Sequence, residues 1–238
     1  MKVDILAIGA HPDDVELGCG GTLLKHIAMG KSVAILDLTQ GELGTRGTAT
    51  IRLAEAANAA KIMGIAFREN AGFADGFFLN DKAHQIELIQ YLRHYQPNVV
   101  LCNAIHDRHP DHARAAALVE DAVFLSGLPK IETKLNGSIQ EAYRPVAVYH
   151  YIQALDISPI FALDVTEYFD KKIESILAYR SQFYNDTTEE PATFISSPEF
   201  LEFVSARASH FGVPIGVKYA EAYTTKRHIG VKSLSDIF

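Results

Sequence analysis

Val3-Asp4-Ile5-Leu6-Ala7-Ile8-Gly9-Ala10 runs straight into His11-Pro12-Asp13-Asp14, and this junction decides the fold. A mostly apolar, strand-like run meets a short polar corner, and the segment Leu17–Met29 beyond it has helical spacing. The same order returns almost a hundred residues later. Asn98–Ile105 leads to His109-Pro110-Asp111-His112, and a helical pattern follows from about His112 to Leu125. In a parallel α/β sheet, corners at the carboxyl ends of neighbouring strands open onto one crevice, where ligands bind. Two imidazoles and several carboxylates could therefore converge on one cation. Zinc accepts histidine nitrogen and carboxylate oxygen, and a catalytic zinc keeps a fourth position for water or substrate. A His11/Asp14/His112 triplet would leave that position open, with Asp13 beside it as a base.

A plainer reading competes. His-Pro-Asp is also a good helix-start sequence, because proline fixes its own φ and aspartate caps free amides. A cap needs neither histidine nor a pair of adjacent carboxylates, and two such strings at equivalent corners favour metal chemistry.

Between the two corners the chain alternates. Strand-like runs fall at Val3–Ala10, Ser32–Thr39, Ala66–Gly72 and Asn98–Ile105, and helical segments at Leu17–Met29, Ile51–Met63 and Lys82–Tyr95. Gly30 and Gly64 stand where helices should stop. This alternation predicts a Rossmann-like α/β fold: a mostly parallel sheet with helices on both faces. After Gly127 the pattern changes. Ile131–Tyr143 reads as loop, Pro145–Ile152 and Phe161–Val165 as further strands, and Thr166–Phe183 as a long helix. Tyr184–Pro198 is polar and reads as a surface loop or lid, with Tyr184 placed to cover a substrate, and a last helix runs from Pro198 to about His210. No repeat or linker interrupts residues 1–238, which read as one domain with extra C-terminal strands and helices.

Composition narrows the function classes. With 238 residues, 48% hydrophobic content and a net charge of −7, the chain reads as soluble and globular. It lacks the basic stripe of a nucleic-acid binder. No apolar stretch approaches the ~20 residues a membrane helix needs. Charged residues inside the first strand argue against a signal peptide, and a cytoplasmic location follows. Cys19 and Cys102 form neither a metal pair nor a disulfide framework; Cys102 reads as buried, while Cys19 lies close enough to the first motif for a weak thiol contact.

With both motifs placed, the chain resembles the LmbE-like (PIG-L) family of zinc-dependent N-deacetylases, which act on N-acetylglucosaminyl (GlcNAc) conjugates. The resemblance rests on Ala10-His11-Pro12-Asp13-Asp14, Gly18–Gly21, Leu38-Thr39-Gln40-Gly41-Glu42, Arg52 with Glu55-Ala56, and His109-Pro110-Asp111-His112. The metal-binding pattern shows no departure. Arg108, and Gly212 followed by Gly216 and Tyr219-Ala220-Glu221-Ala222, resemble the bacillithiol-biosynthesis branch, whose substrate is N-acetyl-alpha-D-glucosaminyl L-malate. The resemblance implies His11, Asp14 and His112 as ligands of one Zn²⁺ per chain; the donor types equally admit Fe²⁺ or Co²⁺. It makes Asp13 the general base, gives His109 oxyanion stabilisation or protonation of the leaving amine, and has Asp111 orient an imidazole. It also implies a homo-oligomer, a hexamer. Diacetylchitobiose, other GlcNAc substrates and a thiol-conjugate amide are the rival substrates, and a metal- or sugar-binding protein without turnover is the rival class.

Arg52 and Arg108 are the candidate readers of substrate carboxylates, with Arg46 a third choice; a surface ion pair with Glu55 or Glu42 is the plain alternative for Arg52. The glycines at 18, 20 and 21 lack the spacing of a phosphate loop and read as close packing points. His26, His84 and His94 read as surface residues, while His106 and His210 stay open.

Overall fold

The computed structural model describes residues 1–183 and 190–233. The first half alternates as the sequence predicts: β1 (Ile5–Gly9), α1 (Asp14–Ala28), β2 (Val33–Thr39), α2 (Ala49–Met63), β3 (Phe67–Phe73), α3 (Lys82–Tyr95), β4 (Val99–Cys102) and α4 (Pro110–Ser126). A two-stranded hairpin follows, β5 (Lys134–Leu135) and β6 (Ser138–Ile139). Then come β7 (Ala147–Tyr151), β8 (Phe161–Asp164), α5 (Phe169–Leu177), α6 (Glu199–Gly212) and β9 (Ala220–Thr224). The main sheet has seven strands in the order β3-β2-β1-β4-β7-β9-β8. The first five are parallel, and β9 runs antiparallel to both its neighbours.

Both faces of the sheet are buried, as a parallel sheet requires. Leu6, Ile8 and Leu36 point towards Leu88, Leu92, Leu118 and Val119 of α3 and α4. The alternate residues Ile5, Ala7 and Ile35 pack with Leu23 and Leu24 of α1. β1 and β4 are adjacent although their partners in register, such as Ile5 and Val99, are far apart in sequence. The chain therefore reverses its winding direction between these two strands, and the crevice of the sheet opens there.

Three expectations change. α1 begins at Asp14, not Leu17, so the first motif is itself the helix start. The segment read as one helix from Thr166 to Phe183 is a 3-10 turn followed by α5, which stops at Leu177. Beyond that helix the chain is tied to α2, the Ser181 backbone N–H and hydroxyl both donating to Glu55, each at 2.7 Å. The loop at Ile131–Tyr143 contains the short hairpin, and Ala220–Thr224, a stretch without a secondary-structure reading above, enters the sheet as β9. In the presumed lid, Phe194–Ser196 forms a 3-10 turn; Tyr184 lies outside the described residues.

α1 is broken at Cys19, whose φ of −143° and ψ of 17° are not helical. A buried ion pair mends the break. Glu221 accepts the N–H groups of Gly21 at 2.9 Å and Thr22 at 2.7 Å, which caps the restarted helix. Lys172 pairs with Glu221 and donates to the Leu17 carbonyl at 3.0 Å. Cys19 is consequently core, packed with Val15 and Leu23, and does not line the cavity at the metal motif. Gly18 lies against the ring of Tyr151, where a Cβ would collide with it, so close packing accounts for this glycine.

Candidate metal centre

The β1–α1 and β4–α4 corners bring the predicted residues together. The Asp14 carboxylate lies between two imidazoles: Oδ2 is 3.4 Å from His11 Nδ1, and Oδ1 is 3.1 Å from His112 Nε2. His109 stands beside them, its ring centroid 4.6 Å from that of His11 and 5.2 Å from that of His112. One ring nitrogen from each of the three lies within 4.8 Å of the others. The capping reading holds as well. His109 caps α4, its Nδ1 accepting the Asp111 N–H at 3.3 Å, and Asp14 accepts the His11 N–H at 2.9 Å. Because Nδ1 of His109 accepts, a neutral His109 carries its proton on Nε2.

The donor set fits a divalent cation: two imidazoles and one carboxylate, all buried, at the floor of a cavity of about 430 Å³. Their far sides are held as the rings of metal-binding histidines usually are, by carboxylates. Asp107 takes His112 Nδ1 at 2.7 Å. Asp75 is 3.0 Å from His11 Nε2, and Asp111 is 3.4 Å from the same atom, so Asp111 sits where it can orient an imidazole. Asp111 is itself fixed by the Gly76 N–H at 2.8 Å and by Arg114. Sequence reasoning missed Asp75 and Asp107. Asp75 follows β3 at the same sheet edge, a position the crevice rule could have flagged. Asp107 is five residues before His112, and nothing but the loop's path reveals the contact. The missed Asn103 and Gln153 also reach Asp14, through amide N–H groups at 3.0 and 2.9 Å.

Charge is distributed unevenly. Burial would raise the Asp14 carboxyl, but His112 and His11 outweigh it and hold Asp14 well below the usual carboxylate range. Burial also opposes charging of the two rings; carboxylates override it, lifting His11 well above its ordinary value and His112 to about 9. Asp13 goes the other way. Burial pushes its carboxyl up to about 7, only partly offset by Arg52. His109 is lowered, first by burial and then by the charges on His11 and His112. Asp13 also sits at φ 109°, a left-handed conformation that side chains other than glycine rarely adopt.

Arg52 is buried rather than a surface ion-pair residue. Its guanidinium donates to the carbonyls of Pro12 at 2.7 Å and Gly41 at 3.1 Å and lies 3.5 Å from Asp13. Gly41, at φ 65°, leaves room for it; a Cβ there would occupy the place of the guanidinium. Arg108 is exposed at the mouth, stacked 4.5 Å above the ring of Phe194. Phe194, Phe200 and Phe203 line that side of the cavity. Arg46 is buried next to Glu190 outside the cavity lining, and His106 and His210 are exposed and do not line it.

The sequence profile of the family described as PIG-L, GlcNAc-PI de-N-acetylase, matches residues 6–123, which span both histidine motifs. The chain belongs to the PIG-L family. A solved structure of a conserved protein from Thermus thermophilus is 36% identical, with a TM-score of 0.86, covering 97% of this chain and 98% of that one. The diacetylchitobiose deacetylase of Thermococcus kodakarensis is 27% identical over 91% of this chain and 80% of its own length. A Bacillus anthracis protein named "Probable N-acetyl-alpha-D-glucosaminyl L-malate deacetylase 2" is 26% identical over 78% of this chain and 84% of its own. The PIG-L match and the deacetylase relatives identify the chain as a member of a deacetylase family acting on GlcNAc-type substrates. Among the described residues no helix is long and apolar enough to cross a membrane.

Proposed function

We propose that this PIG-L protein hydrolyses the acetamide of a small GlcNAc conjugate with the help of one divalent cation, Zn²⁺ first among the candidates, held by His11, Asp14 and His112. The observation that carries this reading is the convergence of those three side chains on the cavity floor next to the buried, ionisable Asp13. Zinc bound there would supply Lewis acidity and an acidified water. Asp13 takes the proton as the water oxygen attacks the acetyl carbon. The Nε2–H of His109 donates to the oxygen that becomes negative. As the carbon–nitrogen bond breaks, Asp13 returns its proton to the leaving amine, so the amino sugar departs with acetic acid, which ionises to acetate in water, and the aspartate is again ionised. Arg52 holds the Pro12 carbonyl and the Asp13 side chain, which makes it a positioning residue, whereas Arg108 is free to meet the substrate.

For the substrate, Arg108 at the mouth and the Bacillus anthracis relative support the malate conjugate. The Thermococcus relative and the phenylalanine wall, a surface on which a second sugar ring can lie, support diacetylchitobiose. Acetate release from the malate conjugate, free GlcNAc and diacetylchitobiose separates them: the malate conjugate is expected to react fastest, and equal rates on all three would refute that choice. Asp13→Ala is expected to keep its zinc and lose most of the activity. A chelated, metal-free protein that still turns over would overturn the mechanism.

A further inference from the structure

Asp14 is gripped by two carboxamides that the chemistry above leaves unused. Asn103, directly after β4 and fully buried, spends every polar side-chain atom on the site. Its Oδ1 accepts the Ala10 N–H at 2.8 Å, and its Nδ2 donates to Asp14 Oδ2 at 3.0 Å and to Gln153 Oε1 at 2.8 Å. Gln153, just past β7, then donates its own Nε2–H to Asp14 Oδ1 at 2.9 Å. Each carboxylate oxygen thus faces one side-chain amide N–H and one imidazole, Oδ2 also accepting the His11 backbone N–H, and the two amides are joined to each other. The Gln153 carbonyl is in turn held by Arg207 of α6.

A carboxylate free to rotate would pair with either histidine alone. This ring of bonds fixes its plane so that one oxygen addresses His11 and the other His112. We propose that Asn103 and Gln153 act as one positioning unit that holds the Asp14 carboxylate ready for the cation and thereby sets metal affinity. The proposal rests on the reading that His11, Asp14 and His112 hold a cation. It adds that the ligand set depends on a residue beyond residue 123, where the family profile ends, so part of the affinity is written in the C-terminal layer. Outer partners of metal ligands typically change affinity by roughly 10- to 100-fold. Because the two amides share a hydrogen bond, their effects should not add.

The test is competition for Zn²⁺ between the metal-stripped protein and a chromophoric chelator, with thermal melting of each stripped variant as the check on folding. Asn103→Ala and Gln153→Met should each raise the zinc dissociation constant by roughly 10- to 100-fold. The double variant should be no weaker than about the worse single one, and Gln153→Asn, which keeps the amide, should recover part of the loss. Folded variants that bind zinc as tightly as the parent, or losses that multiply, would overturn the unit. If Asn103→Ala does not fold, an unchanged constant for Gln153→Met suffices to reject it. A parent protein that takes up no zinc at all refutes the cation reading itself, a result distinct from equal binding by parent and variants.

Discussion

At the residue scale, the two arginines flanking the site make different contacts, and substitution should separate their roles. Arg52 touches the backbone of the first motif, so Arg52→Ala is expected to lower kcat by about ten- to a hundredfold on every GlcNAc substrate alike, with zinc content unchanged. Arg108 stacks on Phe194 at the mouth, so Arg108→Ala should raise KM about tenfold for a carboxylate-bearing conjugate and spare diacetylchitobiose. Kinetics on both substrates with both variants decide the matter; a selective loss in Arg52→Ala would return that residue to substrate recognition. The sequence made the ligand candidates legible because two imidazoles and an aspartate at strand-to-helix corners have few other uses. It could not show which way Arg52 points. That depends on the left-handed Gly41, a turn whose path brings its carbonyl back over α2. Asn103 and Gln153 were invisible for a related reason: an amide announces its partner only when the strands beside it are in register.

At the element scale, periodicity and glycine stops gave the first eight elements to within a few residues, since apolar spacing and helix termination are local signals. β9 escaped because its five residues are buried between two antiparallel neighbours, where no alternation of polar and apolar residues is needed. The break in α1 was equally hidden. The group that caps the restarted helix lies about two hundred residues away, in Glu221, with Lys172 of α5 balancing the charge. Removing one member of such a buried pair leaves the other unpaired, a loss of about 3–5 kcal/mol. Lys172→Met should therefore lower the melting temperature by roughly 10 °C, taking about 2–4 °C per kcal/mol for a chain of this size. The double variant Lys172→Met/Glu221→Gln should recover part of this. Calorimetry that shows Lys172→Met melting with the parent would remove the ion pair from the account of the kink.

At the scale of the whole molecule, the parallel sheet carries a titratable group in its middle. His150 of β7 is fully buried, with the Asn103 carbonyl 2.9 Å from Nδ1 and Glu120 2.8 Å from Nε2. Burial alone would disfavour its charge, but Cys102, Glu120 and the Asn103 carbonyl override that and push its pKa up to about 10 from 6.5. A raised folded-state value adds stability that is fully present below about 6.5 and is lost as the pH climbs through about 10. Urea midpoints measured between pH 7 and pH 10 should fall more steeply for the parent than for His150→Gln. Parallel curves for the two proteins would show that His150 does not drive the change.

The adjacency of β1 and β4 also orders events in time. Ile5 meets Val99 across more than ninety residues, and Gln153 closes on Asp14 from further still. No short stretch of the growing chain contains the cluster, unlike a zinc finger, whose ligands gather within one small fold. Such long-range pairings are slow to form. β1 and β4 must pair before the three donors face one another, so an ion that bound there would meet a corner already formed and would not guide its construction. The occupant of such a site would then be set after folding, by whichever divalent metal the surroundings offer.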